Sequence, residues 1–377
     1  MVGCAVYQPD EKVIFQSQDA PEVNFAKAEE LEKAMAQLLE MGVPGVALSV
    51  ASPSGNWSKA LGFTKIEGRI PMQTCHLHYL QSIAKTYMAV AILKLREMGK
   101  LDLDKTIDQY LSPEYLQYLK ATDKITVRML LNHTSGLPEY NSHPINISKL
   151  LQEPERLIPT REYFKSIRKS KMRFEPGARF LYTNLNYEIL ALIGDQLTGD
   201  HAQFISQIIF KPLELNETYY RYEANYLKYE ALNNAYWDRH SDGIIENVSL
   251  MQRINVASMI GDDGIVSTPR DAVLFLKGLM EGKVIDQESL RLMKEWVKDK
   301  NGLSAYGLGL DIARFAEKEA YGHSGGGLGA GCQLYYFPHN QTYFFLGINL
   351  GTITDSPIHQ KALPVLAKIH QILADLE

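Results

Sequence analysis

The chain has 377 residues, enough for one large core or two lobes, and its 39 Lys and Arg against 44 Asp and Glu leave a net charge of −5. With no dense Lys/Arg run, that balance argues against a nucleic-acid partner, and no apolar run approaches the roughly 20 residues needed to span a membrane. Three cysteines, Cys4, Cys75 and Cys332, are too few for a disulfide framework, have no C-x-x-C spacing and read as free thiols.

In chain order, the opening "MVGCAVYQPDEK" has no long apolar leader, although "VGC" is similar to the end of a lipoprotein signal cleaved before Cys4. "NFAKAEELEKAMAQLLEMG" (Asn24 to Gly42) has helical periodicity and a terminal glycine. Two apolar runs around Pro53-Ser54-Gly55-Asn56 then read as a β-hairpin. From Ser82 to about Val297 the strong patterns are helical: "SIAKTYMAVAILKLREMG", "TVRMLLNHTSG", "YEILALIGDQLTG" and "DAVLFLKGLMEG", each ending on glycine. "GCQLYYF" and "TYFFLGINLG" flank Pro338-His339-Asn340-Gln341 as a second hairpin, and "SPIHQKALPVLAKIHQILADL" closes the chain as an amphipathic helix despite Pro364. A sheet from both chain ends with helices between them is an α+β architecture with a discontinuous sheet lobe. The expected boundaries are 20–81 and 298–377 for the sheet lobe and 82–297 for the mostly helical lobe, with a cleft between them.

Two serines compete as nucleophile. Gly322-His323-Ser324-Gly325-Gly326 matches the G-x-S-x-G elbow, which needs a buried strand before the serine and a helix directly after it. Before Ser324 stands "RFAEKEAYGH", charged and poor as a central strand; after it "GGGLGAG" breaks any helix. Ser82 opens a good helical run, with Lys85 on the same face at i, i+3. An amine there can take the serine proton if burial keeps it partly neutral, and the helix N-terminus favours developing oxyanion charge. Farther on, Tyr182 and Asn184 share one side of an extended segment after an F-x-P-G turn. "GHSGGG" supplies a cation-capable side chain and glycine N–H groups at the start of a strand.

Taken together, "QSIAKTYMAVAILKLREMGKLDLD", "TVRMLLNHTSGLPEY", "FEPGARFLYTNLNYEILALIG", "FKPLELNETYY", "GIVSTPRDAVLF" and "YGHSGGGLGAG" resemble the class C serine β-lactamases, DD-carboxypeptidases and related esterases over roughly Val43 to Leu350. The resemblance implies the β-lactamase/transpeptidase-like fold, an antiparallel sheet flanked by helices plus a mostly helical lobe. It implies an acyl-enzyme serine hydrolase acting on an amide, ester or β-lactam carbonyl of a small molecule or short peptide, without metal or organic cofactor, and an exported or periplasmic setting. It makes Ser82 the nucleophile, Lys85 and Tyr182 the proton relay and Asn184 the partner of the substrate amide. His323, Ser324 and Gly325 take the place of the K-T-G element, and the N–H groups of Ser82 and Gly326 form the oxyanion hole. Ser324 then belongs to a binding strand and its elbow match is coincidental. A non-hydrolysing peptidoglycan-peptide or penicillin sensor is the alternative.

One departure stands out: His323 replaces the lysine of the β-lactamase element. A histidine titrating near its ordinary ~6.5 would pair a substrate carboxylate only below that pH, so KM for anionic substrates is expected to rise between about pH 6 and 8. Cys75, His76 and His78 have ligand-like types but no acidic neighbour in sequence, which favours packing or surface roles over a metal. His133 reads as a loop or cap residue. The run from Gly325 to Gly331 opens no helix, which argues against a dinucleotide site. Tyr87 and Tyr140 are candidates to line the cleft.

Overall fold

A computed structural model describes residues 25–220 and 231–376. Cys4 and the leader-like start lie outside the described residues.

The helix Ala28–Glu40 leads into β1 (Gly45–Ser52), β2 (Gly55–Lys65) and the two-residue β3 (Ile70–Pro71). Through the middle, helices alternate with short strands: β4 (His78–Tyr79), β5 (Thr218–Tyr220), β6 (Tyr236–Trp237), β7 (Glu246–Asn247) and β8 (Ile265–Ser267). Six more strands follow: β9 (Val297–Lys298), β10 (Ser304–Tyr306), β11 (Asp311–Phe315), β12 (Lys318–Gly326), β13 (Gly331–Phe337) and β14 (Thr342–Ile348); the helix Pro357–Ala374 comes last. Among the described residues, nine of these strands form one antiparallel sheet in the order β3-β2-β1-β14-β13-β12-β11-β10-β9. Both hairpins read from sequence are present, and the pairing of β1 with β14 joins the two chain ends (Val46 to Ile348, Val50 to Phe344).

The burial of β1 explains why "GVALSVA" is apolar except for Ser49, whose hydroxyl bonds that of Ser58 at 2.9 Å. Val46, Leu48 and Val50 meet Phe344, Leu346 and the two terminal helices on one face of the sheet. The helix Pro269–Met280 packs on the same strands and helps cover the other face. A strand covered on both sides has no solvent face on which to alternate.

The expected helices form, with one shortened. "TVRMLLNHTSG" is helical only over Val127–Leu131, capped by Thr126 through Met129 N–H at 3.3 Å. The chain then turns because Thr134 hydrogen-bonds the Asn132 side chain (2.7 Å) and His133 adopts φ 59°, so these polar residues bond locally instead of extending the helix. The charged "RFAEKEAYGH", poor as a central strand, forms the β11–β12 hairpin. Ala316 and Glu317, both at positive φ, form its two-residue turn, and its charges lie on the exposed end. One thiol expectation is corrected: Cys75 is disulfide-bonded, while Cys332 is free and buried. Among the described residues, no helix is long and apolar enough to cross a membrane.

Candidate active site

Ser82 sits in a single 3₁₀ turn, Gln81–Ile83, that runs directly into the helix Ala84–Glu97. Gln81, buried immediately before it, has φ 50°, a left-handed conformation that non-glycine residues adopt at a cost. The strained turn presents Ser82 at the helix N-terminus. One turn later Lys85 is completely buried; its Nζ lies 2.9 Å from Ser82 Oγ and donates to the Asp262 carbonyl at 2.9 Å. Burial lowers the pKa of this amine, against the opposing pull of Asp262, Asp263, Glu139 and Glu188.

Tyr182 comes from the extended segment before the helix Leu185–Thr198. Its ring stands over Lys85, 5.2 Å from Nζ to the centroid. The hydroxyl is buried without a well-formed hydrogen bond. Burial raises its pKa well above that of an ordinary phenol, and the neighbouring Ser82 hydroxyl offsets only part of this. Ser82, Lys85 and Tyr182, separated by up to 100 positions, are thus brought to one point.

His323, Ser324, Gly325 and Gly326 lie on β12. Ser82, Tyr182, His323, Ser324 and Gly326 line one cleft of about 710 Å³, with Phe180, Leu303, Tyr306 and Ile312 as its apolar and aromatic walls. Lys85 lies beneath the cleft rather than in its wall. Gly325 faces inward: a Cβ there would stand 2.4 Å from the Leu80 carbonyl oxygen and 2.7 Å from Cys332 Sγ. This glycine lets β12 rest directly on the backbone that leads to Ser82. Asn184 is also outside the cleft wall; its backbone and side-chain N–H groups both donate to Glu139 Oε2, at 2.8 and 3.3 Å.

His323 overturns the titration expected of it. The Ser324 carbonyl, 2.5 Å from Nδ1, can only accept, so Nδ1 carries the proton. Nε2 is then the acceptor for the Tyr306 hydroxyl at 2.8 Å. Both ring nitrogens are satisfied by the neutral tautomer. Burial, reinforced by the nearby Lys85 charge, pushes the pKa down to about 3. Where the β-lactamase element carries a lysine, this cleft presents an uncharged ring.

Sequence reasoning missed Tyr306, Glu139, Asp262 and Asp311, for which no local motif gives a signal. His133 is a loop residue as expected, but a buried one: its ring lies 4.2 Å from that of Tyr182, and its Nδ1 accepts from Thr183 N–H at 3.3 Å. Tyr87 and Tyr140 do not line the cleft. Tyr87 stacks on Phe275 at 3.5 Å, and the Tyr140 hydroxyl lies between the buried carboxyls of Asp262 (2.9 Å) and Glu188 (3.2 Å). His76 and His78 are buried, the first accepting from Gln73 N–H at 2.8 Å.

Comparison with known proteins bears on the fold and the enzyme class. Penicillin-binding protein 4* of Bacillus subtilis is 27% identical over 321 residues, 80% of this chain and 67% of its own length. Protein flp of Staphylococcus aureus is 24% identical over 207 residues; there the match covers 54% of this chain and only 40% of the relative. Among solved structures, the D-amino acid amidase of Ochrobactrum anthropi SV3, complexed with L-phenylalanine, superposes with a TM-score of 0.79 at 22% identity, over 91% of this chain and 98% of that one. The D-stereospecific amidohydrolase of Streptomyces sp. gives 0.77 at 23%, over 89% and 97%. The fold and the enzyme class read from the sequence, a serine hydrolase, are borne out. The Beta-lactamase family profile matches residues 31–360, nearly the whole of the described sheet and helices, and the chain belongs to that family.

Proposed function

We propose that the protein hydrolyses an amide or ester through an acyl-enzyme on Ser82, and that its preferred substrates do not depend on a carboxylate. The observation that carries the reading is the fully buried Lys85 amine, 2.9 Å from Ser82 Oγ and anchored on the Asp262 carbonyl. In its neutral form the amine accepts the Ser82 proton as Oγ attacks the carbonyl carbon. The N–H groups of Ser82 and Gly326 receive the oxyanion. Tyr182, over the ammonium so formed, passes a proton to the leaving nitrogen or oxygen as the C–N or C–O bond breaks. Water then attacks the ester, giving up its proton to the same pair, and the acid product leaves with Ser82 restored.

The neutral His323 and the carboxylates of Asp299 and Asp311 in the cleft wall disfavour an anionic substrate, because Arg314 in the same wall is paired with Glu319. Amino-acid amides, the substrate class in the names of the amidase neighbours, suit such a cleft better than penicillins do. The test is labelling with a fluorophosphonate, followed by intact mass and peptide mapping. Ser82→Ala should abolish labelling and Ser324→Ala should retain it. A labelled peptide containing Ser324 would overturn the assignment.

A further inference from the structure

The cleft wall holds a carboxylate, Asp311, with no ion-pair partner among the described residues. Asp311 opens β11 opposite Gly322, which in turn pairs with Tyr335 on β13. With no side chain at Gly322, Tyr335 reaches across and donates its hydroxyl to Asp311 Oδ2 at 2.7 Å. The carboxyl is therefore held by a buried phenol two strands away and is not a mobile surface acid. Burial raises its pKa, opposed by the Tyr335 hydroxyl and the Ile312 N–H, with no basic side chain among the opposing groups.

The charged groups nearby are committed elsewhere. Arg314, three positions along β11, lines the same cleft but is exposed and pairs with Glu319 at 3.1 Å. Asp299, also in the cleft wall, uses Oδ1 to accept from Asn301 and Leu303 N–H at 2.8 and 2.9 Å, closing its own turn. His323 is neutral and Lys85 lies below the cleft floor. A partly desolvated carboxylate that lacks a cation is unfavourable by itself, and an arriving cation relieves the cost.

We propose that Asp311 is the recognition point for a protonated amine on the substrate. This rests on the hydrolase reading given above and extends it to a substrate class: amides or esters that carry an ammonium near the scissile bond. Asp311 is a specificity residue; it takes no proton in the reaction.

Two matched pairs test it. In the first the amine is in the acyl half: D- or L-phenylalanine 4-nitroanilide against 3-phenylpropionyl 4-nitroanilide. In the second it is in the leaving group: the 3-phenylpropionyl ester of 4-(aminomethyl)phenol against that of 4-ethylphenol. Wild type should favour the amine-bearing member of at least one pair by roughly ten- to a hundredfold in kcat/KM, mainly through KM, the scale of a charge-assisted hydrogen bond. In Asp311→Asn, which can still accept from Tyr335, the ratio within that pair should collapse toward one. Tyr335→Phe, which keeps the charge but loosens its anchor, should give an intermediate ratio. No amine preference in either pair, or a ratio unchanged in Asp311→Asn, overturns the proposal. So does a preference for carboxylate-bearing analogues that Arg314→Gln removes. Fluorophosphonate labelling of Ser82 in the same preparations separates the two failures: labelled enzyme without amine selectivity refutes only the role of Asp311, whereas unlabelled wild type refutes the hydrolase reading.

Discussion

Gly325→Ala tests whether the contact between β12 and the Ser82 turn is as tight as the structure makes it. The added methyl would stand 2.4 Å from the Leu80 carbonyl oxygen, 2.7 Å from Cys332 Sγ and 2.8 Å from Gln81 Cβ, and the Leu80 oxygen and Gln81 Cβ belong to a turn that cannot rotate away. Relief requires about 1 Å of separation between β12 and the Leu80–Ser82 segment. Overpacking of this kind costs about 1–3 kcal/mol, a fall of a few degrees in melting temperature for a chain of this size. The larger effect should be on chemistry, because the same shift moves Ser82 Oγ away from the Gly326 N–H. A misplacement on that scale can cost about a hundredfold in rate. Gly99→Ala is the control: its φ is 68° with nothing within 4 Å, so it should cost only the 1–2 kcal/mol of a left-handed alanine. Thermal unfolding and the fluorophosphonate labelling rate are measured for both variants. Stability should fall in each, and labelling should slow only in Gly325→Ala. A Gly325→Ala protein that labels at the wild-type rate would refute the reasoning.

Lys85→Ala and Tyr182→Phe should each lower turnover by on the order of 10²–10⁴, and the double variant should lose far less than the product, because the two act on one proton; multiplicative losses would sink the shared relay. His323 gives a pH prediction whose sign follows from its lowered pKa. Below its ordinary ~6.5 the unfolded chain takes up a proton that the folded site refuses until about pH 3, so stability falls as pH drops through that window, by on the order of 5 kcal/mol at most from this residue. His323→Gln, whose amide can donate to the Ser324 carbonyl and accept from Tyr306, should show a shallower loss between pH 6 and 4 by chemical or thermal denaturation; identical slopes would mean that the imidazole is charged in the folded protein. In the wild type, kcat/KM for a neutral ester should show no inflection from His323 between pH 6 and 8.

The hairpins, the terminal helices and the helix that follows Ser82 were legible in the sequence because each is fixed by short-range signals. The turn at Pro53-Ser54, the left-handed glycines at Gly99 and Gly199 and the i, i+3 placement of Ser82 and Lys85 need no distant partner. Order and spacing of motifs carried the family in the same way. Ionisation could not be read along the chain. The neutral state of His323 depends on a phenol at Tyr306 and on burial between two parts of the fold. The lowered pKa of Lys85 is a balance between its own desolvation and four carboxylates from three separate segments. Asp311 likewise looks like an ordinary strand-end acid until Gly322 is seen to leave room for Tyr335. Local backbone preference is written residue by residue, whereas charge in a cleft is decided by what is brought near it and by how much water is excluded, and only the assembled sheet and helices determine either.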